Sequence, residues 1–352
     1  MIGLAGFAAV IGGGLALGMP RALIWAGVVF WWLVLVIAHA PFLLPAGNAA
    51  ASLLGGDFAA WLAAGFLAVP VVGYRTLLGR LRSRAAASGH SAPAAVAKPG
   101  AFSEAELERY ARHIVLREVG GPGQRRLREA KVLVVGAGGL GSPALLYLAA
   151  AGVGTVGVID DDTVSVSNLQ RQIVHTDDRI GMPKVFSAEI AMKALNPHVK
   201  VRPYNRRLTG EIAQELFAGY DLILDGSDNF ATRYMVNAAA VAAGKPLIAA
   251  AIAQWEGQIS LYDPARGAPC FACVFPEAPA EGLAPSCAEA GVVGALPGVV
   301  GAMMAAEAIK EITGAGESLR GRMLIYDALH AENRVVRLKR RADCAVCGGI
   351  HA

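Results

Sequence analysis

The 352-residue sequence predicts an α/β protein with a doubly wound, largely parallel sheet behind an apolar N-terminal region. Three observations predict it. Lys131–Val135 is a short run rich in β-branched residues that leads into Gly136-Ala137-Gly138-Gly139-Leu140-Gly141. Thr155–Ile159 is a second such run and ends in Asp160-Asp161-Asp162. Leu222–Leu224 is a third, shorter apolar strand and ends in Asp225-Gly226-Ser227-Asp228-Asn229. Runs of this kind mark parallel strands buried on both faces. A strand, a glycine turn and a helix, with an acid about 20 residues on, mark a nucleotide-binding unit.

The N-terminal elements are read first. Hydrophobic residues make up 55% of the chain, and the excess is concentrated here. Four Trp (Trp25, Trp31, Trp32, Trp61) and a single acidic residue, Asp57, lie in the first hundred. Met1–Met19, Ala22–Leu44 and Phe58–Leu78 are apolar stretches. A helix needs about 20 apolar residues to cross a bilayer, so two or three transmembrane helices are expected within residues 1–84. The first stretch is glycine-rich and has no basic residue ahead of it, which argues against a cleaved signal. Arg21 and the cluster Arg80, Arg82, Arg84 place the remainder of the chain in the cytoplasm by the positive-inside bias. Residues 85–100, rich in Ala, Ser, Pro and Gly, read as a flexible linker.

The remaining elements make up the chemistry-bearing part, residues 101–352. Ser103 followed by Glu106 is a capping box opening a helix of the pattern Leu107, Tyr110, Ile114. Arg109, Arg112 and His113 fall on it and read as a solvated face. The helix Ser142–Ala151 follows the glycine turn, whose backbone and helix N-terminus suit a phosphate. Asp160 stands at the spacing of an acid that takes a ribose hydroxyl. Next comes Ser167-Asn168-Leu169-Gln170-Arg171-Gln172, with Lys184 thirteen positions past Arg171. An Asn, an Arg and a Lys beyond such a turn can neutralise a triphosphate. A nicotinamide cofactor needs no such set, so the pattern favours ATP over hydride transfer. After the third strand, Asp225 or Asp228 reads either as a Mg²⁺ ligand or, with Asn229, as the N-cap of a helix Ala231–Ala243. His175 and His198 read as hydrogen-bonded or surface histidines. The helix Gly298–Ile312, with Met303 and Met304, reads as core or dimer interface.

Of the five cysteines, four form two C-x-x-C pairs, Cys270/Cys273 and Cys344/Cys347. Two such pairs read as a tetrahedral Cys₄ zinc site, closed and therefore structural, with a redox pair as the alternative. The net charge of +4 is too small to argue for nucleic acid, and no such partner is expected.

Taken together, Gly136–Gly141, Asp160, Asn168 to Gln172, Lys184 and Asp225 to Asn229 resemble the bacterial MoeB/ThiF (HesA) adenylyltransferases, relatives of ubiquitin-activating enzymes. The molybdopterin-synthase adenylyltransferase branch is the nearest. The resemblance covers Phe102 to Gly348 and leaves the first hundred residues outside. It implies a Rossmann-like sheet of the ubiquitin-activating-enzyme type. It implies that Gly136, Gly138, Gly139 and Gly141 form the nucleotide turn, with Gly138 and Asp160 at the adenosine and its ribose. It also implies that Asn168, Arg171 and Lys184 contact phosphates, and that Asp228 binds Mg²⁺ and is required for catalysis. In such homodimers Arg112 matches an arginine that reaches the partner's ATP, which replaces the solvated-face reading. The resemblance strengthens the zinc assignment to Cys270, Cys273, Cys344 and Cys347. Cys287 matches a cysteine that forms thioester or persulfide links in some relatives; an inert thiol is the other reading. The activity implied is ATP-dependent adenylation of a ubiquitin-like sulfur carrier. The small subunit of molybdopterin synthase comes first and the thiamine-pathway carrier second. The rivals are a tRNA-modifying dehydratase of the same superfamily, a NAD-dependent dehydrogenase, and a non-catalytic tethered docking protein.

Overall fold

The computed structural model of the chain describes residues 2–41, 43, 45, 48–88, 101–279 and 290–350. The chain divides into two compact units, Met1–Pro99 and Gly100–Ala352.

The first unit is helical: α1 (Ile2–Ala16), α2 (Arg21–His39), α3 (Ala49–Leu54) and α4 (Phe58–Ser88). Tryptophans pin it. The indole of Trp31 donates to the Gly3 carbonyl at 2.9 Å, and that of Trp32 to the Trp61 carbonyl at 2.8 Å. A Cβ at Gly6 would lie 2.1 Å from the Trp31 ring, so only glycine lets α1 approach α2 there. Asp57 caps α4, accepting the Ala60 N–H at 2.7 Å.

The expected two or three transmembrane helices are not supported: among the described residues no helix is long and apolar enough to cross a membrane. The reason is where the helices end. The first apolar stretch forms 15 helical residues, about 22 Å at 1.5 Å per residue against a hydrocarbon core of about 30 Å. α2 has 19 residues, with Arg21 and His39 at its ends. It stops because Ala40 precedes Pro41 and is driven to extended backbone, ψ 114°. α4 holds Pro70 and Arg75 and runs on to Ser88, so the first four residues of the expected linker are helical. The rest of that linker, residues 89–100, lies outside the described residues.

The second unit contains one eight-stranded sheet, order β3-β2-β1-β4-β5-β6-β7-β8. The strands are β1 (Lys131–Val135), β2 (Thr155–Ile159), β3 (Lys200–Tyr204), β4 (Leu222–Asp225), β5 (Leu247–Ala253), β6 (Glu256–Tyr262), β7 (Arg322–Asp327) and β8 (Glu332–Arg337). β1 to β5 run parallel, and β6 to β8 extend the sheet antiparallel. Both faces are covered, as the unbroken apolar run of β1 requires. Val132 and Val134 join one core with α6 (Gly120–Glu129), α7 (Gly141–Ala151), α8 (Lys184–Leu195) and α12 (Ala295–Thr313). Leu133 and Val135 join the other with α9 (Gly210–Ala218), α10 (Phe230–Ala242) and α11 (Phe271–Val274). α5 (Glu104–Ile114) opens with both halves of the expected capping box in place. The strand order reverses between β1 and β4, and that switch point is where doubly wound folds open a crevice for ligands.

Candidate active site

The glycine turn is the floor of the crevice. Gly136 adopts φ +91°, a conformation glycine takes without strain. A Cβ at Gly141 would sit 1.9 Å from the Gly136 carbonyl oxygen, so the tight turn demands glycine there. At Gly139 the nearest atom is Pro297 of α12, 3.1 Å from a Cβ, and α12 thus closes over the turn. Gly138 differs: the nearest atom to a Cβ there is 3.6 Å away, on Gln172. The protein itself leaves room for a side chain at Gly138, and close approach of a ligand is the remaining reason for glycine. Gly138→Ala should therefore leave the melting temperature within about 2 °C while raising the KM for ATP. Gly141→Ala should unfold the unit. Thermal melts beside kinetics on both variants check this, and a destabilised Gly138→Ala would contradict it.

Asp160, at the end of β2, ties the turn to the next loop. One carboxylate oxygen accepts the Ala137 N–H at 2.7 Å and the other accepts the Asp162 N–H at 2.8 Å. Burial raises its pKa, and Lys184 with the two N–H groups works against that rise. Lys184 starts α8 and is 5% exposed. Its ammonium lies 2.7 Å from Asp162. A cation at a helix N-terminus opposes the helix dipole, so Lys184 sits where an anion is wanted. Asp162 was not singled out by the sequence reading, although a triplet of acids after a strand and a lysine opening a helix were both visible.

A short 3₁₀ turn, Val166–Asn168, carries the next group. The Asn168 carbonyl accepts the N–H groups of Arg171 and Gln172. The Asn168 side chain is half-buried and makes no hydrogen bond among the described residues. Arg171 lies at the turn, with its Cδ 3.9 Å from where a Gly139 Cβ would be, and it donates to the Ser167 carbonyl at 3.1 Å. Gln172 is buried beside Gly138, with its amide oxygen unpaired.

His175 is the residue whose importance sequence reasoning underrated. It is buried, and Nε2 donates to the Ala137 carbonyl at 2.9 Å, so the glycine turn hangs from it. Nδ1 then accepts from the Ser187 hydroxyl at 2.9 Å. The ring is held neutral: burial drops its pKa to about 4. The unfolded chain, near 6.5, binds the extra proton first. Stability from this group is therefore full above about pH 6.5 and is lost as pH falls toward 4, up to about 3 kcal/mol. Denaturant midpoints of the full chain measured between about pH 7 and pH 4.5 should fall, and His175→Gln should flatten that slope. An unchanged slope in the variant would exclude His175 as the cause.

The loop after β4 faces the turn across the switch point. The Gly226 carbonyl lies 3.4 Å from a Gly136 Cβ position. Asp225 is buried and accepts the Ser227 N–H at 2.9 Å, and Arg233 of α10 donates to the Ser227 carbonyl. Asn229 caps α10, accepting the Thr232 N–H at 2.8 Å. The open choice between cap and metal ligand is thus resolved for one residue: Asp228 is not the cap. It is exposed and makes no hydrogen bond or ion pair among the described residues. Arg112 on α5 is likewise exposed and unpaired among them. Cys287 lies outside the described residues.

The four remaining cysteines converge as expected. All are buried, and their sulfurs lie within 4.8 Å of one another. Cys270–Cys344, Cys273–Cys347 and Cys270–Cys273 are separated by 3.6, 3.4 and 3.9 Å. A disulfide would require about 2.05 Å, whereas a tetrahedron of Zn–S bonds of about 2.3 Å has edges of about 3.8 Å. The donor set therefore fits Zn²⁺ in a closed, structural site. Asn237 of α10 accepts the Phe271 N–H at 2.8 Å and so braces the first pair. The Arg341 N–H points at the Cys273 sulfur, 3.5 Å away. Purified protein should carry one zinc per chain by elemental analysis, and Cys344→Ser should lose it and melt lower. A metal-free, fully stable chain would contradict this.

Comparison with known proteins agrees with the geometry. The ThiF family matches residues 110–346. The chain is 51% identical over 251 residues to the sulfur carrier protein adenylyltransferase of Thermus thermophilus, covering 70% of this chain and 93% of that protein. It is 49% identical over 243 residues to the SAMP-activating enzyme E1 of Haloferax volcanii, covering 69% and 89%. Against the adenylyltransferase and sulfurtransferase MOCS3 of Bos taurus the identity is 47% over 263 residues, 74% of this chain but 58% of that longer protein. Among solved structures, E. coli MccB with MccA-N7isoASN superposes with a TM-score of 0.61 at 23% identity, covering 68% of this chain and 75% of that one. That likeness shows the fold alone. The chain belongs to the ThiF family, and it is an adenylyltransferase.

Proposed function

We propose that the chain activates the C-terminal Gly-Gly carboxylate of a ubiquitin-like sulfur-carrier protein with ATP. The small subunit of molybdopterin synthase is the first candidate and the thiamine-pathway carrier the second. The single observation that carries the reading is Lys184, a buried cation opening α8 beside the acids Asp160 and Asp162. The printed name of the Thermus relative, a sulfur carrier protein adenylyltransferase, supports the substrate class.

The chemistry follows from charge. A carboxylate, ionised at neutral pH without a base, meets the α-phosphate of ATP, and pyrophosphate leaves. Two anions approach, so fixed cations must offset their repulsion as charge builds. In this reading the glycine turn receives the phosphates with its N–H groups, and Asp160 exchanges a backbone N–H for the ribose. Asn168, Arg171 and Lys184 hold the phosphates, Arg as a fork and Lys as a point charge. Asp228, left free by the Asn229 cap, would hold Mg²⁺, which when bound offsets the charge of the leaving pyrophosphate. Arg112 completes the site of a second copy in a homodimer. Cys287 is dispensable for adenylation.

For the first unit we propose attachment to a membrane, with the catalytic unit in the cytoplasm. Outward-facing Leu17, Phe30 and Phe66, 79, 68 and 83% exposed, support it. The full chain should float with lipid vesicles, and residues 101–352 alone should not.

Mass measurement of each purified carrier after incubation with enzyme and ATP tests the substrate. An adenylated carrier is expected, and none should form when its last two glycines are removed. Equal modification of the shortened carrier would refute the reading.

A further inference from the structure

A second basin, remote from the glycine turn, has the makings of an anion site. α12 starts against the turn at Pro297 and ends at Thr313, about 24 Å away along the helix at 1.5 Å per residue. At that far end lies an open cavity of about 590 Å³, a size suited to a small ligand. Five cations from five places in the fold line it: Arg266 after β6, Lys310 on α12, Arg320 in the loop before β7, Arg322 on β7 and Arg337 on β8.

Four of the five are held by partners among the described residues. Arg266 and Arg320 share Glu311, at 2.7 and 2.5 Å, and both also face the buried Asp263, at 3.7 and 3.1 Å. Lys310 pairs with Glu307, also buried, so Asp263 and Glu307 sit behind the wall, while Glu311 and Glu317 line the cavity beside the five cations. The other two cations are the telling ones. Arg322 and Arg337 are directly opposite one another in the β7–β8 ladder. Like charges directly opposite destabilise a strand pair. Arg322 is offset by Glu317 at 3.2 Å and also donates to the Ser318 carbonyl at 2.8 Å, whereas the Arg337 guanidinium makes no hydrogen bond or ion pair among the described residues. An anion between the two arginines would relieve the repulsion and take up the free guanidinium.

We propose that this basin binds a small, multiply charged oxyanion of the phosphate class, gripped by Arg322 and Arg337 with Arg266 and Arg320 pre-set beside them. Planar guanidiniums match phosphate oxygens two at a time, which suits such a ligand better than a simple halide. The site goes beyond the proposed adenylation and does not depend on it.

The test uses the full chain carrying Lys184→Ala, which disables the nucleotide crevice, titrated calorimetrically with inorganic pyrophosphate. One equivalent should bind. Adding Arg322→Gln and Arg337→Gln should raise the dissociation constant by about tenfold or more, as loss of charged hydrogen bonds does. The same two changes in the otherwise unaltered chain should leave adenylation untouched and shift the melting temperature little, because the like-charge pair is removed together with the contacts of Arg322 to Glu317 and Ser318. No pyrophosphate binding in the Lys184→Ala chain, or equal affinity with both arginines replaced, would overturn the proposal.

Discussion

Replacing Lys184 with Ala should cut adenylate formation by about 10³-fold while leaving the fold as stable as before or slightly more so. The two halves of this expectation have separate causes. The ammonium is buried at the first position of α8 and its one ion-pair partner, Asp162, is largely exposed. An exposed partner returns little stability, the helix dipole disfavours a cation there, and Ala is the better helix former. Stability therefore has little to lose. Catalysis has much to lose, because among the described residues no other lysine stands at the turn to meet the incoming phosphates. Arg171→Ala should act in the same direction, and the double variant should lose less than the product of the single effects, since both act on one charge cluster. Single-turnover rates beside thermal melts decide it. A Lys184→Ala chain that is both slow and unfolded would show a structural lysine instead.

Asp228→Ala and Asn229→Ala, one residue apart, should behave in opposite ways. Asp228 is exposed, caps nothing and pairs with nothing among the described residues, so its loss should leave the melting temperature unchanged. If it holds Mg²⁺, adenylation should drop by about 10³-fold or more while the carrier still docks. Asn229 caps α10 through the Thr232 N–H, and Ala there should cost about 1 kcal/mol of stability with most of the activity kept. Carrier pull-down, adenylate formation and melts on the two variants give six readings. Equal activity in both would remove Asp228 from the mechanism.

The parts of the molecule that could be read from sequence are those where local chemistry decides. β1 and β2 fall where the β-branched runs place them, because a strand buried on both faces must be apolar throughout. The glycines, the capping box at Ser103 and the four clustered cysteines are equally local. β5 was not legible: Leu247–Ala253 is alanine-rich and would suit a helix, and it is a strand only because β4 and β6 pair with it. β8 is exposed throughout and carries no alternation to find. Hydropathy overstated the N-terminal helices since it does not see Pro41 ending α2, nor that arginines continue α4. Within the site, Asp160, Arg171 and Lys184 are legible from motif spacing, and the structure places them near the glycine turn. His175 reads from sequence only as a hydrogen-bonded or surface histidine and Asp162 only as part of an acidic triplet, because their partners, Ala137 and Lys184, lie 38 and 22 residues away.

Exchange of labelled pyrophosphate into ATP, run with the full chain and each purified carrier, measures reversal of the proposed step itself. Exchange is expected only when a carrier with a free Gly-Gly terminus is present, and it should vanish when Arg171 and Lys184 are both neutralised. Undiminished exchange in that double variant, or none with any such carrier, would mean that the cations beside the glycine turn do not bring two anions together.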